Sequence, residues 1–74
     1  MSLFRLPDLR PRYAYIVRVD TESMRCGEIH EYYEPLEDSR MLLCDGGLVD
    51  SEVEPKLFSI LGFRFGGNEP SPPL

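Results

Sequence analysis

Residues 41–67, MLLCDGGLVDSEVEPKLFSILGFRFGG, decide the fold of this 74-residue chain. They divide into an apolar run, an Asp-Gly-Gly turn, a helical segment and a Gly-Gly stop. The run 41–44 is short and apolar, which predicts a buried strand. Asp45-Gly46-Gly47 predicts a tight turn, because glycine takes the positive φ such a turn needs. Leu48 and Val49 continue briefly on its far side. A helix is expected over residues 53–61. Pro55 falls in its first turn, where a missing N–H costs nothing because the first amides of a helix lack intrahelical partners. Ser51 or Glu52 is placed to cap it, and Glu52 and Glu54 suit the positive end of its dipole. Leu57, Ile60 and Leu61 share one face with Phe58 beside them, and Gly62 is the stop.

Working outward, residues 13–20 (YAYIVRVD) are rich in aromatic and β-branched types and predict a strand. Tyr13, Tyr15, Val17 and Val19 alternate with Ala14, Ile16, Arg18 and Asp20, which predicts one buried and one mixed face. Residues 21–27 form a polar connection ending in glycine. Residues 28–33 (EIHEYY) follow as a second strand, with Ile29 and Tyr33 on one side. Strand, polar turn and strand predict an antiparallel hairpin. Residues 34–40 carry Pro35 and the acids Glu34, Glu37 and Asp38, and read as an exposed loop.

Pro7 and Pro11 make residues 2–12 an extended arm. Leu3, Phe4, Leu6 and Leu9 are too apolar for a free tail, so the arm packs on this chain's core or on a neighbour's. Phe63 and Phe65 alternate with Arg64 and lead into Gly66-Gly67, after which residues 68–74 hold three prolines. That tail reads as disordered or polyproline-like. The expected class is α+β, a small antiparallel sheet of short strands packed with one helix. One domain is expected over residues 1–74, divided into arm 1–12, strands and helix 13–67, and tail 68–74.

Composition narrows the function. The net charge is −5 and the basic residues are scattered among acids, so no face suits a phosphate backbone and nucleic acid is not an expected partner. No apolar run approaches the ~20 residues of a membrane span, and the start lacks the charged-then-apolar pattern of a signal. The expected location is the cytoplasm or a particle assembled there. Two cysteines, Cys26 and Cys44, are too few for a disulfide scaffold and are expected as reduced thiols. A chain this short buries only about 60–65% of its unfolded surface, so small folds of this kind often need a staple or a partner.

Several pieces in order resemble the bacteriophage tail collar domain, found also in microcystin-dependent-type proteins. That pattern opens on a G-E-I strand, reaches a strand ending C-D-G, and continues through a helix like A-L-F-x-x-L-G to an aromatic-Gly-Gly end. Here Gly27-Glu28-Ile29 is followed, after fourteen residues, by Cys44-Asp45-Gly46. Leu57-Phe58-Ser59-Ile60-Leu61-Gly62 and Phe65-Gly66-Gly67 come next. The family's closing segment, F-x-L-P-D-L-R-G-R, stands at the start instead, as Phe4-Arg5-Leu6-Pro7-Asp8-Leu9-Arg10-Pro11-Arg12. Joining the two ends would restore the family order, so the sequence looks circularly permuted. It departs in having Met41 where many members have tryptophan and Pro11 where the motif has glycine. Only Arg12 and Tyr13 bridge the place where members commonly carry a long receptor-contacting insertion, so receptor binding is not carried over.

The resemblance implies a non-catalytic structural and assembly module of phage or prophage type. The expected partners are copies of itself, an arm-swapped trimer being one form, and other phage tail proteins; no membrane partner is expected. Interface candidates are Phe4, Leu6, Pro7, Leu9, Tyr13 and Tyr15. The residues that carry the family pattern structurally are Gly27, Ile29, Cys44, Asp45, Gly46, Leu57, Phe58, Gly62, Gly66 and Gly67. Tyr13, Tyr15, Tyr32 and Tyr33 support a second reading, a carbohydrate or receptor-binding face, because tyrosine favours interfaces. A third is a small thiol or zinc protein using Cys26, His30 and Cys44, although zinc usually takes four ligands. Asp45 and Asp8 are explained by turn formation. No catalytic residue, cofactor or metal site is expected.

Overall fold

The computed structural model of the chain describes residues 2–68; the tail beyond Asn68, expected to be polyproline-like, lies outside them. Its elements are β1 (Leu3–Arg5), β2 (Tyr13–Val17), β3 (Ile29–Tyr32), β4 (Met41–Leu43), β5 (Leu48–Asp50), α1 (Pro55–Leu61) and β6 (Gly67–Asn68). The strands pair antiparallel in two three-stranded sheets, ordered β5-β1-β6 and β3-β2-β4. The α+β class is as expected, with the strands divided between two sheets where one was anticipated.

The β2–β3 hairpin forms as the sequence predicts, with Tyr13 opposite Tyr32 and Ile16 opposite Ile29. The expected mixed face does not. Ala14, Tyr15, Ile16 and Val17 are all buried, because β2 is a central strand covered on both sides. Ala14 and Ile16 join a core of Phe4, Leu6, Cys26, Cys44, Leu57 and Leu61. Tyr15 and Val17 join a second cluster with Met24 and Met41. The strand ends at Val17, short of the expected Asp20. Asp20 is drawn into the following turn, where its carboxylate accepts from the Cys26 N–H at 2.8 Å and pairs with Lys56.

The arm is part of the body. β1 lies between β5 and β6, with Phe4 opposite Val49 on one side and Gly67 on the other. Phe4 is fully buried and its ring centroid lies 5.2 Å from that of Phe58, which in turn stands 5.2 Å from Phe63. Gly67 has φ +137, and a Cβ there would come within 2.3 Å of the Leu3 carbonyl oxygen. Only glycine lets β6 approach β1 this closely. The register sets Asn68 opposite Leu3, so the first and last described strands are direct neighbours.

Two local expectations, the helix start with its cap and its buried face, are corrected. The Asp45-Gly46-Gly47 turn is present as expected, with Gly46 at φ +78. It carries the chain from one sheet to the other, because the central strands β1 and β2 draw the two runs to different partners. The helix begins at Pro55, and neither Ser51 nor Glu52 caps it. The Asp50 carboxylate takes the Glu52 N–H at 2.8 Å instead, and the Asp50 carbonyl accepts from Val53 and Glu54. Glu54, at the cap position, turns its buried side chain to Arg18. Finally, Leu57 and Leu61 are buried but Ile60 is exposed; Phe58 takes its place because Phe4 enters on that side of the helix. Gly62 ends the helix as expected, with φ +53.

Removing Phe4 deletes the one side chain shared by β1, α1 and the aromatic row. Phe4→Ala is expected to cost about 3–5 kcal/mol, comparable to the whole net stability of so small a domain. Urea titration followed by circular dichroism should show a chain largely unfolded in buffer. A midpoint near that of the unaltered protein would contradict this account of the core.

Candidate functional site

The cores leave one surface rich in aromatic and charged groups, at the open end of the β2–β3 hairpin. Register places Tyr13 beside Tyr32, so both project from the face that carries Tyr15. Tyr15 and Tyr32 pack edge to face with centroids 5.8 Å apart. The Leu36 N–H donates to Tyr15 Oη at 2.8 Å, and Tyr32 Oη lies 3.8 Å from Met41 Sδ. These contacts pin the inner tyrosines and draw the 34–40 loop against the sheet. Tyr13 is partly exposed and Tyr33 projects fully into solvent. On the opposite face Arg12 Nη1 meets Glu31 Oε1 at 3.3 Å across the two strands.

Two shallow depressions run along this end of the hairpin, of about 520 Å³ and 400 Å³, and Tyr32 and Tyr33 line both. Arg12, Tyr13 and Glu31 complete the first; Glu34, Pro35 and Leu36 complete the second. Glu28, Glu31, Glu34 and Glu37 are all exposed nearby, so the surface is aromatic and acidic. Nothing in the sequence signals that Arg12 and Glu31 pair. They stand nineteen residues apart and meet only because the hairpin register brings them together.

The arm residues sit elsewhere. Phe4, Leu6 and Pro7 are buried within their own chain, and Leu9 is half-buried against the main core. Tyr15 is buried in the second cluster, which leaves Tyr13 as the candidate on the tyrosine surface. The family-pattern residues hold the sheets together. Cys44 and Leu57 are core, Phe58 stacks on Phe4, and the Asp45 carboxylate accepts the Gly47 N–H at 2.9 Å. Gly27 lies under Ile60, Gly46 abuts Asp8, and Gly66 faces Arg5. Ile29 is exposed at the sheet edge.

The thiols are poor nucleophiles. Burial pushes Cys44 up to about 11 and raises Cys26 as well, so neither is a thiolate near neutral pH. Among the described residues His30 Nε2 is buried without a hydrogen-bond partner, 3.7 Å from Glu28 Oε1. Among the described residues no three His, Cys, Asp or Glu side chains group as metal ligands.

The family model of the phage tail collar domain matches residues 27–73, more than half the chain. No curated protein and no solved structure matches it. Gly27, where the match opens, lies two residues before β3, the strand that borders the tyrosine surface.

Two carboxylates paired with exposed arginines give a pH dependence of known sign. Hydrogen bonds from Arg10 hold Asp8 down at about 2, and those from Arg40 do the same for Asp38, against an ordinary value of 3.8. The stabilisation they provide is full above 3.8 and is lost as pH falls through about 2. Melting temperatures measured down that range should fall faster for the native protein than for Asp8→Asn/Asp38→Asn. Added salt should shrink the difference, since both pairs are exposed; identical slopes would show that neither pair contributes.

Proposed function

Because the chain belongs to the phage tail collar domain family, we propose that it is a non-catalytic structural module of a phage tail particle. In this reading it associates with copies of itself and with other tail proteins, and its place is in the virion. Among the described residues no helix is long and apolar enough to cross a membrane.

The observation that carries the self-association is the slot between β5 and β6, filled by the three residues of β1. Beyond β1 the arm stays attached as far as Leu9, whose N–H donates to the Cys44 carbonyl at 3.0 Å. Residues 10–12 then lead into β2. A hinge there would let β1 enter the same slot of a neighbouring copy, preserving each contact while changing which copy supplies it. Exchange of this kind is a low-cost route to symmetric oligomers. Phe4, Leu6 and Leu9 would then become interface residues without altering the core they complete.

Light scattering over a range of concentrations is the test. The expected result is a mass that is a small multiple of the single chain at high concentration, falling towards that of one chain on dilution. A strict monomer at every concentration would remove arm exchange from the account.

A further inference from the structure

The ladder between β2 and β3 has a definite phase. The Val17 N–H donates to the Glu28 carbonyl at 2.8 Å, while Ile16 stands opposite Ile29. In an antiparallel pair, successive residues turn their backbone groups alternately towards and away from the partner. His30 and Tyr32 therefore bond to β2, while Ile29, Glu31 and Tyr33 turn their N–H and C=O groups to the other side. That side is open among the described residues, because β3 is the outer strand of β3-β2-β4.

An outer strand with free backbone groups is a template for a further strand, and proteins usually guard it with charged side chains, lysine above all, with proline, or with a covering loop. Residues 28–34 contain neither lysine nor proline, and their charges are all acidic, Glu28, Glu31 and Glu34, which repel a like-charged strand but not a cationic one. Ile29 and Tyr33 instead leave apolar surface exposed beside the open groups.

The two faces of the edge say what would fit there. Ile29 and Glu31 share a face with Ile16 and Ala14, where Glu31 meets Arg12 at 3.3 Å; His30 and Tyr32 share the face of Tyr15 and Tyr13. Glu28, Glu31 and Glu34 set three exposed carboxylates along this edge against the one arginine, so a segment alternating cationic and apolar residues complements it, adding arginine beside Glu31 and apolar side chains against the tyrosine depressions. Arginine also stacks on exposed rings such as Tyr33. A second copy fits poorly, because β3 against β3 would bring two sets of Glu28, Glu31 and Glu34 along one seam.

We propose that the outer edge of β3, with Tyr33 beyond it, takes up an extended arginine-rich segment of another protein chain as an added strand. The proposal deepens the assembly reading and rests on it for the partner's setting, but its geometry is independent of arm exchange.

The test uses the full chain and a fluorescently labelled peptide of alternating arginine and valine, with binding read by anisotropy. Two control peptides accompany it: the same sequence N-methylated on the amides of one edge, and a glutamate-valine counterpart. The arginine peptide should bind, and both controls should bind at least about tenfold more weakly. Glu31→Pro removes an outward N–H without touching the β2 ladder, and should also weaken binding about tenfold or more. Should that variant fail to fold by circular dichroism, Glu31→Lys reverses the charge on the same edge and should show a comparable loss.

No binding of the arginine peptide would overturn the proposal. So would equal binding of either control, binding undiminished in the folded Glu31 variants, or a neutral oligosaccharide that occupies the tyrosines while the peptide does not bind. Light scattering of the same sample separates the two readings: a monomer that binds the peptide loses arm exchange and keeps the β3 site.

Discussion

Phe4 couples the beginning of the chain to its last described strand, and the rest of the structure depends on that contact. It is fully buried, it stands opposite Val49 and Gly67, and its ring begins a row that continues through Phe58 to Phe63. Burying a side chain of this size contributes about 1.5–3 kcal/mol, a large share of what a domain this small has to spare. The contact also sets backbone geometry. β6 can lie against β1 only because Gly67 has no Cβ, so the aromatic row and the glycine end act together.

The same dependence holds for both sheets. β1 is the middle strand of one and β2 the middle strand of the other, and both precede Gly27, where the match to the collar family begins. The matched residues supply outer strands and the helix, while the segment before them supplies the strands between. The arm and the first long strand are thus integral to the unit. Leu3 and Asn68 stand as direct partners across the sheet.

Electrostatics plays a lesser part in holding the fold. Asp8–Arg10 and Asp38–Arg40 are exposed pairs two residues apart that stiffen turns, and such pairs contribute little to stability. Arg18 and Glu54 are different, because Glu54 is buried and the pair ties the end of β2 to the start of the helix. A buried pair of this kind is costly to break from one side, since the remaining charge is left without a partner. Glu28, Glu31, Glu34 and Glu37 are exposed on and around β3, which gives that edge its chemical character.

Much of the molecule was legible in the residues themselves. The β2–β3 hairpin, the Asp-Gly-Gly turn, proline in the first helical turn and the Gly62 stop follow from periodicity and turn chemistry, which are properties of a few adjacent residues. The family pattern was legible for the same reason, being an ordered set of such local signals. What lay beyond reach was decided between residues far apart in the chain. The burial of both faces of β2, the division of β4 and β5 between two sheets, and the choice of Phe58 over Ile60 each depend on where Phe4 and β1 come to rest. The tyrosine surface was half visible, as four tyrosines without a geometry. Only the register of β3 against β2 joins Arg12 to Glu31 and leaves one strand edge open, because pairing between distant segments is set by how the whole core closes.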